Sequence, residues 1–240
     1  MTSMLLKANR LTLFAVLLTA GCGTAEPVAS KSGGSASRAS RGAGTAGELA
    51  DDSTFRPIRL SDCETFPPEA LESWLSGQPG MFTTTGRPRG YLYTRQRYGD
   101  FTLTLEYRFV RPDAVREEAD LDDRNTGILV YVPDEHRVWP RSPEVQGRHD
   151  EMASIKSNAP DLEIVVIEDD EAMRQLARRR VGEWNRITVV SRGGGLRTWL
   201  NGVQIAETLP GELRQGHIGF QSEGHEVHFR DVRVRQEASR

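Results

Sequence analysis

Along "DFTLTLEYRF" the apolar residues Phe101, Leu103, Leu105, Tyr107 and Phe109 alternate with Thr102, Thr104, Glu106 and Arg108. Successive side chains of an extended chain point to opposite faces, so this period of two predicts a half-buried strand with one polar face. Residues 125–132 ("NTGILVYV"), 162–168 ("LEIVVIE") and 183–192 ("EWNRITVVSR") predict further strands. Asn201-Gly202, between the alternating halves of "LRTWLNGVQIAE", predicts a hairpin, because a type I′ turn needs positive φ at both central residues. "GHIGFQS" and "EVHFRDVRVR" predict two closing strands. In the second, Val227 and Phe229 are out of phase with Val232 and Val234, which predicts a bulge near Arg230.

Helical signal is scarce. Residues 67–75 ("PPEALESWL") fit two turns, and residues 169–180 ("DDEAMRQLARRR") place acids first and bases last, as the helix dipole favours. The second run falls between strands and reads as a surface excursion. Short strands separated by turn signals predict an all-β, antiparallel, two-layer protein with one or two short helices in its connections. Trp74, Trp184 and Trp199 are expected in its core, where large aromatics contribute by buried area.

The N-terminus changes the picture. Lys7 and Arg10 precede "LTLFAVLLTAGC", an apolar run of signal-peptide length that is short for a membrane span. Its ending resembles a bacterial lipobox, with Thr19 where Leu is usual, and implies a signal peptide over residues 1–21 and lipidation at Cys22. Acyl chains on that cysteine would hold the protein to a membrane without a spanning helix. Gly23 after the cysteine points to the outer membrane of a bacterial cell envelope. Residues 22–52 are rich in Gly, Ala and Ser and are expected to form a tether. The folded domain is expected over residues 53–237.

Charge and cysteine content exclude several chemistries. The 240-residue chain has a net charge of −3, and loss of Lys7 and Arg10 with the signal peptide makes it more negative, so nothing points to nucleic acid. With Cys22 lipidated, Cys63 has no partner for a disulfide and cannot supply a cysteine-rich zinc site. It reads as a small buried hydrophobe. The acidic run 117–123 ("EEADLDD") offers oxygens to calcium or another divalent metal but lacks a calcium-loop spacing, so a solvated loop is the plainer reading.

Five stretches in order, "GYLYTRQRYGDFTLTLEYRF", "NTGILVYV", "RVWPRSPEVQG", "GEWNRITVVSRGGGLRTWLNGVQI" and "GHIGFQSEGHEVHFRDVRVR", resemble the 3-keto-disaccharide hydrolase domain over residues 57–236. The resemblance implies a jelly-roll sandwich of the concanavalin-like lectin and glucanase kind, with a sugar held on one concave sheet. It also implies an exported protein acting on carbohydrate, downstream of a sugar 3-oxidoreductase that makes the ketone.

Candidate site residues concentrate in "VWPRSPEVQGRHD". Alternation puts Glu144 and Gln146 on one face and Val145 on the other, and Glu-Val-Gln matches the family position by position. Related glucanases carry two acids on one strand. Here Gln146 replaces the second, which argues against two-carboxylate hydrolysis built on this strand. A 3-keto sugar needs one base for its acidified C2 proton, a stabiliser for the enolate and a donor to the leaving oxygen. Glu144 fits the base, His149 the acid or a second base, and Arg148 or Lys156 the stabiliser. Trp139, stiffened by Pro140, fits a sugar platform. Asn125 stands at a family position and is a candidate to bind substrate, and Gln221 and Arg230 are similar candidates. Glu106 and Arg108 either line the groove or form ordinary cross-strand pairs. His217 and His228 read as structural or exposed, and His225 as a rim residue. The function expected is cleavage of 3-keto-glycosides. A non-catalytic carbohydrate-binding lipoprotein and a structural envelope protein are the alternatives.

Overall fold

The computed structural model describes residues 54–77, 81–114 and 121–237. In chain order the strands are β1 (Arg56–Pro57), β2 (Cys63–Phe66), β3 (Trp74–Ser76), β4 (Met81–Thr84), β5 (Gly90–Tyr98), β6 (Phe101–Phe109), β7 (Gly127–Val132), β8 (Pro143–Gln146) and β9 (Ile155–Ser157). They continue as β10 (Val166–Asp169), β11 (Asn185–Arg192), β12 (Gly195–Leu200), β13 (Val203–Thr208), β14 (Gly216–Ser222) and β15 (Val227–Gln236), with helix α1 (Glu171–Ala177) before β11. One antiparallel sheet has the order β10-β13-β12-β11-β6-β15-β4-β3, with β1 beside β15; the other has the order β2-β5-β14-β7-β8-β9. The chain passes repeatedly from one sheet to the other, as in a jelly-roll sandwich.

The two inner faces make one core. Phe101, Leu103, Leu105, Tyr107 and Phe109 of β6 are all inside, and across from them Leu92, Ile128, Val145, Ile155 and Phe220 line the six-stranded sheet. Phe82 of β4 meets Phe220 of β14 edge to face at 5.4 Å between centroids. Burying each such side chain contributes roughly 1.5–3 kcal/mol, so the alternation of β6 is enough to fix which face turns inward.

Several local predictions hold. Asn201 and Gly202 have φ of 49° and 89°, as the turn requires. The β15–β6 register shifts between Arg230 and Arg233, the position of the expected bulge. α1 is capped by the Asp170 carboxylate, which accepts from Met173 N–H at 2.9 Å, but it ends at Ala177. Residues 67–75 form a 3-10 helix over Pro68–Ser73, because from Trp74 onward the backbone pairs with β4. The strand expected over residues 162–168 covers only Val166–Asp169, an exposed edge.

Two tryptophans leave the expected core. Trp74 is 4% exposed, but the outward pleat position carries Trp199, because its neighbours Thr198 and Leu200 point inward and are fully buried. Trp184 is also partly exposed. The guanidinium carbons of Arg230 and Arg108 lie 4.0 and 4.7 Å from its ring centroid, a cation–π stack on the outside of the larger sheet. Cys22 and Glu117–Asp120 of the acidic run lie outside the described residues.

Candidate active site

The outer face of the six-stranded sheet is where the sequence breaks the usual rule for surfaces. Side chains pointing away from the core should be exposed, yet Glu144 is 7%, Gln146 9% and Gln221 2% exposed. Buried polar groups are costly unless they meet partners or a ligand.

Cross-strand register sets them in rows. Gln146 of β8 stands opposite Gly127 of β7, and Gln221 of β14 lies on the other side of that glycine. The next row runs from Lys156 of β9 through Glu144 and Leu129 to Gly219 and Tyr93. Because Gly127 has no side chain, its neighbours lean over it. A Cβ built there would lie 2.0 Å from Gln221 Oε1 and 2.5 Å from Glu144 Oε1. Continuing the alternation, Asn125 precedes β7 and Glu223 follows β14, and Asn125 Nδ2 donates to Glu223 Oε2 at 2.5 Å. The Asn125 backbone N–H donates to His225 Nδ1 at 3.0 Å.

The electrostatics follow from this crowding. Burial, and then the negative charge of Glu223, push the Glu144 carboxyl up to about 7, against the opposing pull of Lys156 and a hydrogen bond from Gln221. Burial likewise raises Glu223, with Arg89 and Asn125 working the other way. Lys156 is shared, because its ammonium pairs with Glu151 at 2.6 Å. Gln146 turns its carbonyl to the Arg148 backbone N–H at 2.8 Å, so its amide N–H₂ is the end available to a ligand.

Toward β5 the same face becomes aromatic. His136, on the loop after β7, stacks on Tyr93 at 4.1 Å between centroids and shares a 3.0 Å hydrogen bond with the Tyr91 hydroxyl. Trp139 lies on the same loop, 46% exposed. His217 is held by the Thr94 carbonyl and Asp134.

Other sequence-based candidates stand elsewhere. His149 follows Gly147 into a 3-10 helix that carries its ring inward. Its Nδ1 meets Asp122 and its Nε2 the Arg179 carbonyl, both at 3.0 Å, and the residue is 1% exposed. Neither nitrogen is left for a substrate, so the acid role expected of it is corrected to an anchoring one. His149→Ala is expected to lower stability by about 2 kcal/mol, through a cavity and a stranded carboxylate, with kcat/KM of the folded protein unchanged; thermal melts beside kinetics check this. The Arg148 guanidinium turns to Asp150. Glu106, Arg108 and Arg230 lie on the outer face of the other sheet, so the groove reading gives way to cross-strand pairing. Arg230 and Arg186 flank Glu106 in register and bind it at 2.7 and 3.1 Å. Burial alone would raise Glu106, but these two arginines outweigh it and hold the carboxyl below its ordinary range. His228 pairs with Glu226.

The residue that sequence reasoning missed is Glu223. It sits two positions past Gln221 in "QSEGHE", where the alternation continues beyond the strand end. The acid absent from Glu144's own strand is thus supplied from the end of β14, on the far side of β7. Among the described residues no three His, Cys, Asp or Glu side chains gather as a metal site, and Asp122 of the acidic run is committed to His149 and Arg178.

Residues 63–235 match the model of the 3-keto-alpha-glucoside-1,2-lyase-like domain. No curated protein matches the chain. Among solved structures, two Parabacteroides distasonis proteins provisionally described as glycosyl hydrolases share the fold. One is 20% identical, with a TM-score of 0.54, covering 76% of this chain and 99% of its own. The other is 16% identical, with a TM-score of 0.56, covering 81% and 98%. The carbohydrate-binding module CBM66 from Bacillus subtilis is similar at 12% identity and a TM-score of 0.50, covering 73% and 96%. At these identities the structures speak to the fold, and the matched family gives the chain a carbohydrate-related role.

Proposed function

Because the chain belongs to the 3-keto-alpha-glucoside-1,2-lyase-like domain family, we propose that it cleaves the glycosidic bond of 3-keto-glycosides, with Glu144 as the base. The observation that carries this reading is a nearly buried carboxyl, titrating at about 7, hung over a glycine floor between two amides. A base poised near neutrality is what abstraction of a ketone-acidified proton asks for.

The steps balance within the substrate. Glu144 takes the C2 proton, and the electron pair becomes an enolate with its charge on the C3 oxygen. The enolate collapses to restore the ketone, forms the C1–C2 double bond and breaks the C1–O bond. The departing alkoxide takes a proton, for which Glu223 is suited, because burial raises its carboxyl above the ordinary range. Water then adds across C1–C2. The Lys156 ammonium and the Gln146 amide supply positive charge and a hydrogen bond for the enolate oxygen.

The test incubates the purified protein with a 3-keto-glycoside and with its unoxidised parent. Release from the keto form alone, with kcat/KM rising as pH passes about 7, is expected. Binding of either sugar without release would favour a non-catalytic carbohydrate-binding protein. We propose further that the domain is held on a bacterial outer membrane through lipidated Cys22, which the resemblance of "LLTAGC" to a lipobox supports, and that it acts downstream of an oxidoreductase, because the ketone must be made first.

A further inference from the structure

Two amides on this face share one arrangement. Gln221 donates to the Glu144 carboxyl and Asn125 to that of Glu223, so each spends its N–H₂ end on a buried acid. Their carbonyl ends are left over. Gln221 Oε1 and Asn125 Oδ1 are buried atoms with no hydrogen-bond partner, and Gln221 is 2% exposed as a residue. An acceptor stranded this way is costly, a cost removed when a ligand brings a donor. Gln221 Oε1 is aimed at the space over Gly127 that Glu144 Oε1 also borders.

On the opposite side of Gly127 stands Gln146 with the reverse polarity, its carbonyl committed and its N–H₂ available. The face therefore offers an acceptor and a donor on either side of Gly127, with the base beside them. We propose that Gln221 Oε1 accepts the hydroxyl on the carbon whose proton Glu144 removes, while Gln146 Nε2 donates to the neighbouring ketone oxygen, so that the site reads an α-hydroxy-ketone edge. This rests on the function proposed above and narrows its substrates. A ring lacking the 2-hydroxyl leaves Gln221 Oε1 stranded, and such sites reject the analogue strongly.

The test compares a 3-keto-glucoside with its 2-deoxy and 2-O-methyl analogues, on wild type and Gln221→Leu, by kinetics and by calorimetric binding. Wild type is expected to prefer the free hydroxyl by roughly 10²-fold or more, and Gln221→Leu to collapse that preference. Any weakening of Glu144 in the variant affects all three substrates alike and cancels in the ratio. If Gln221→Leu does not fold, the 2-O-methyl analogue decides on wild type alone, because it keeps the oxygen and loses only the donor. Equal use or binding of all three overturns the proposal. Hydroxyl preference in binding without any release sustains it while overturning the elimination reading. Calcium or manganese alone raising Tm in wild type but not in Gln221→Leu overturns it, because the oxygen is then a metal ligand.

Discussion

Glu144→Gln is expected to lower kcat/KM on a 3-keto-glycoside by ~10²–10⁴-fold and, at pH 8, to make the protein more stable than wild type. The two effects have one origin. The Glu144 carboxyl titrates at about 7 in the folded chain against an ordinary 4.5, because burial and the charge of Glu223 disfavour its anion. Below pH 4.5 both folded and unfolded chains hold the proton, and the group contributes no pH dependence. Between 4.5 and about 7 the unfolded chain releases it and the folded chain does not, so stability falls as pH rises. Above 7 the full cost is present, on the order of 3 kcal/mol. Gln is neutral throughout and escapes it. The variant should therefore match wild type near pH 4 and exceed it at pH 8 by roughly 10 °C in Tm. Melts that superimpose at every pH, or full turnover by the variant, would show that Glu144 is not a strained base.

A buried carboxyl that destabilises its own fold also explains what the sequence shows and hides. β6 was legible because one face is buried and the other carries Thr, Glu and Arg, so a period of two stands out. β2 and β4, at four residues each, are too short to display a period. β7, β8 and β14 are buried on both faces. There the polar residues Glu144, Gln146 and Gln221 interrupt otherwise core-like strands, and alternation correctly set the first two on one face with Val145 behind them.

Tertiary placement was not legible in the same way. Alternation puts Glu106 and Arg108 on a polar face, but a period of two cannot say which of two sheets that face belongs to. His149 is five residues from Glu144 in sequence, and only the turn after Gly147 shows that its ring leaves the cleft for the Asp122 carboxylate. Glu223 was hidden for the opposite reason. It lies past the end of a strand, where alternation is not normally extended, and is brought to the site by the β14–β7 pairing.

Gly127→Ala provides the sharpest separation of site from scaffold. The backbone there lies outside the positive-φ region, so alanine is conformationally allowed. Its methyl would sit 2.0 Å from Gln221 Oε1 and 2.5 Å from Glu144 Oε1. Both atoms are the ends of flexible side chains that can swing aside, so the fold should absorb the change at a cost of about 1 kcal/mol. On the proposed mechanism the site cannot absorb it, because those two oxygens set where the reacting carbon would sit. A displacement of about 1 Å is enough to cost 10²-fold in rate. The expected result is a kcat/KM at least ~10²-fold lower with Tm nearly unchanged. Gly216→Ala is the contrasting control. A Cβ there meets the carbonyl carbon of Tyr131 at 2.3 Å and its Cα at 2.5 Å, both backbone atoms that cannot rotate away, so melting should fall sharply. If Gly127→Ala kept full activity, the space above Gly127 would not be where the substrate reacts. If it unfolded like Gly216→Ala, Glu144 and Gln221 would be fixed by packing that the fold itself requires.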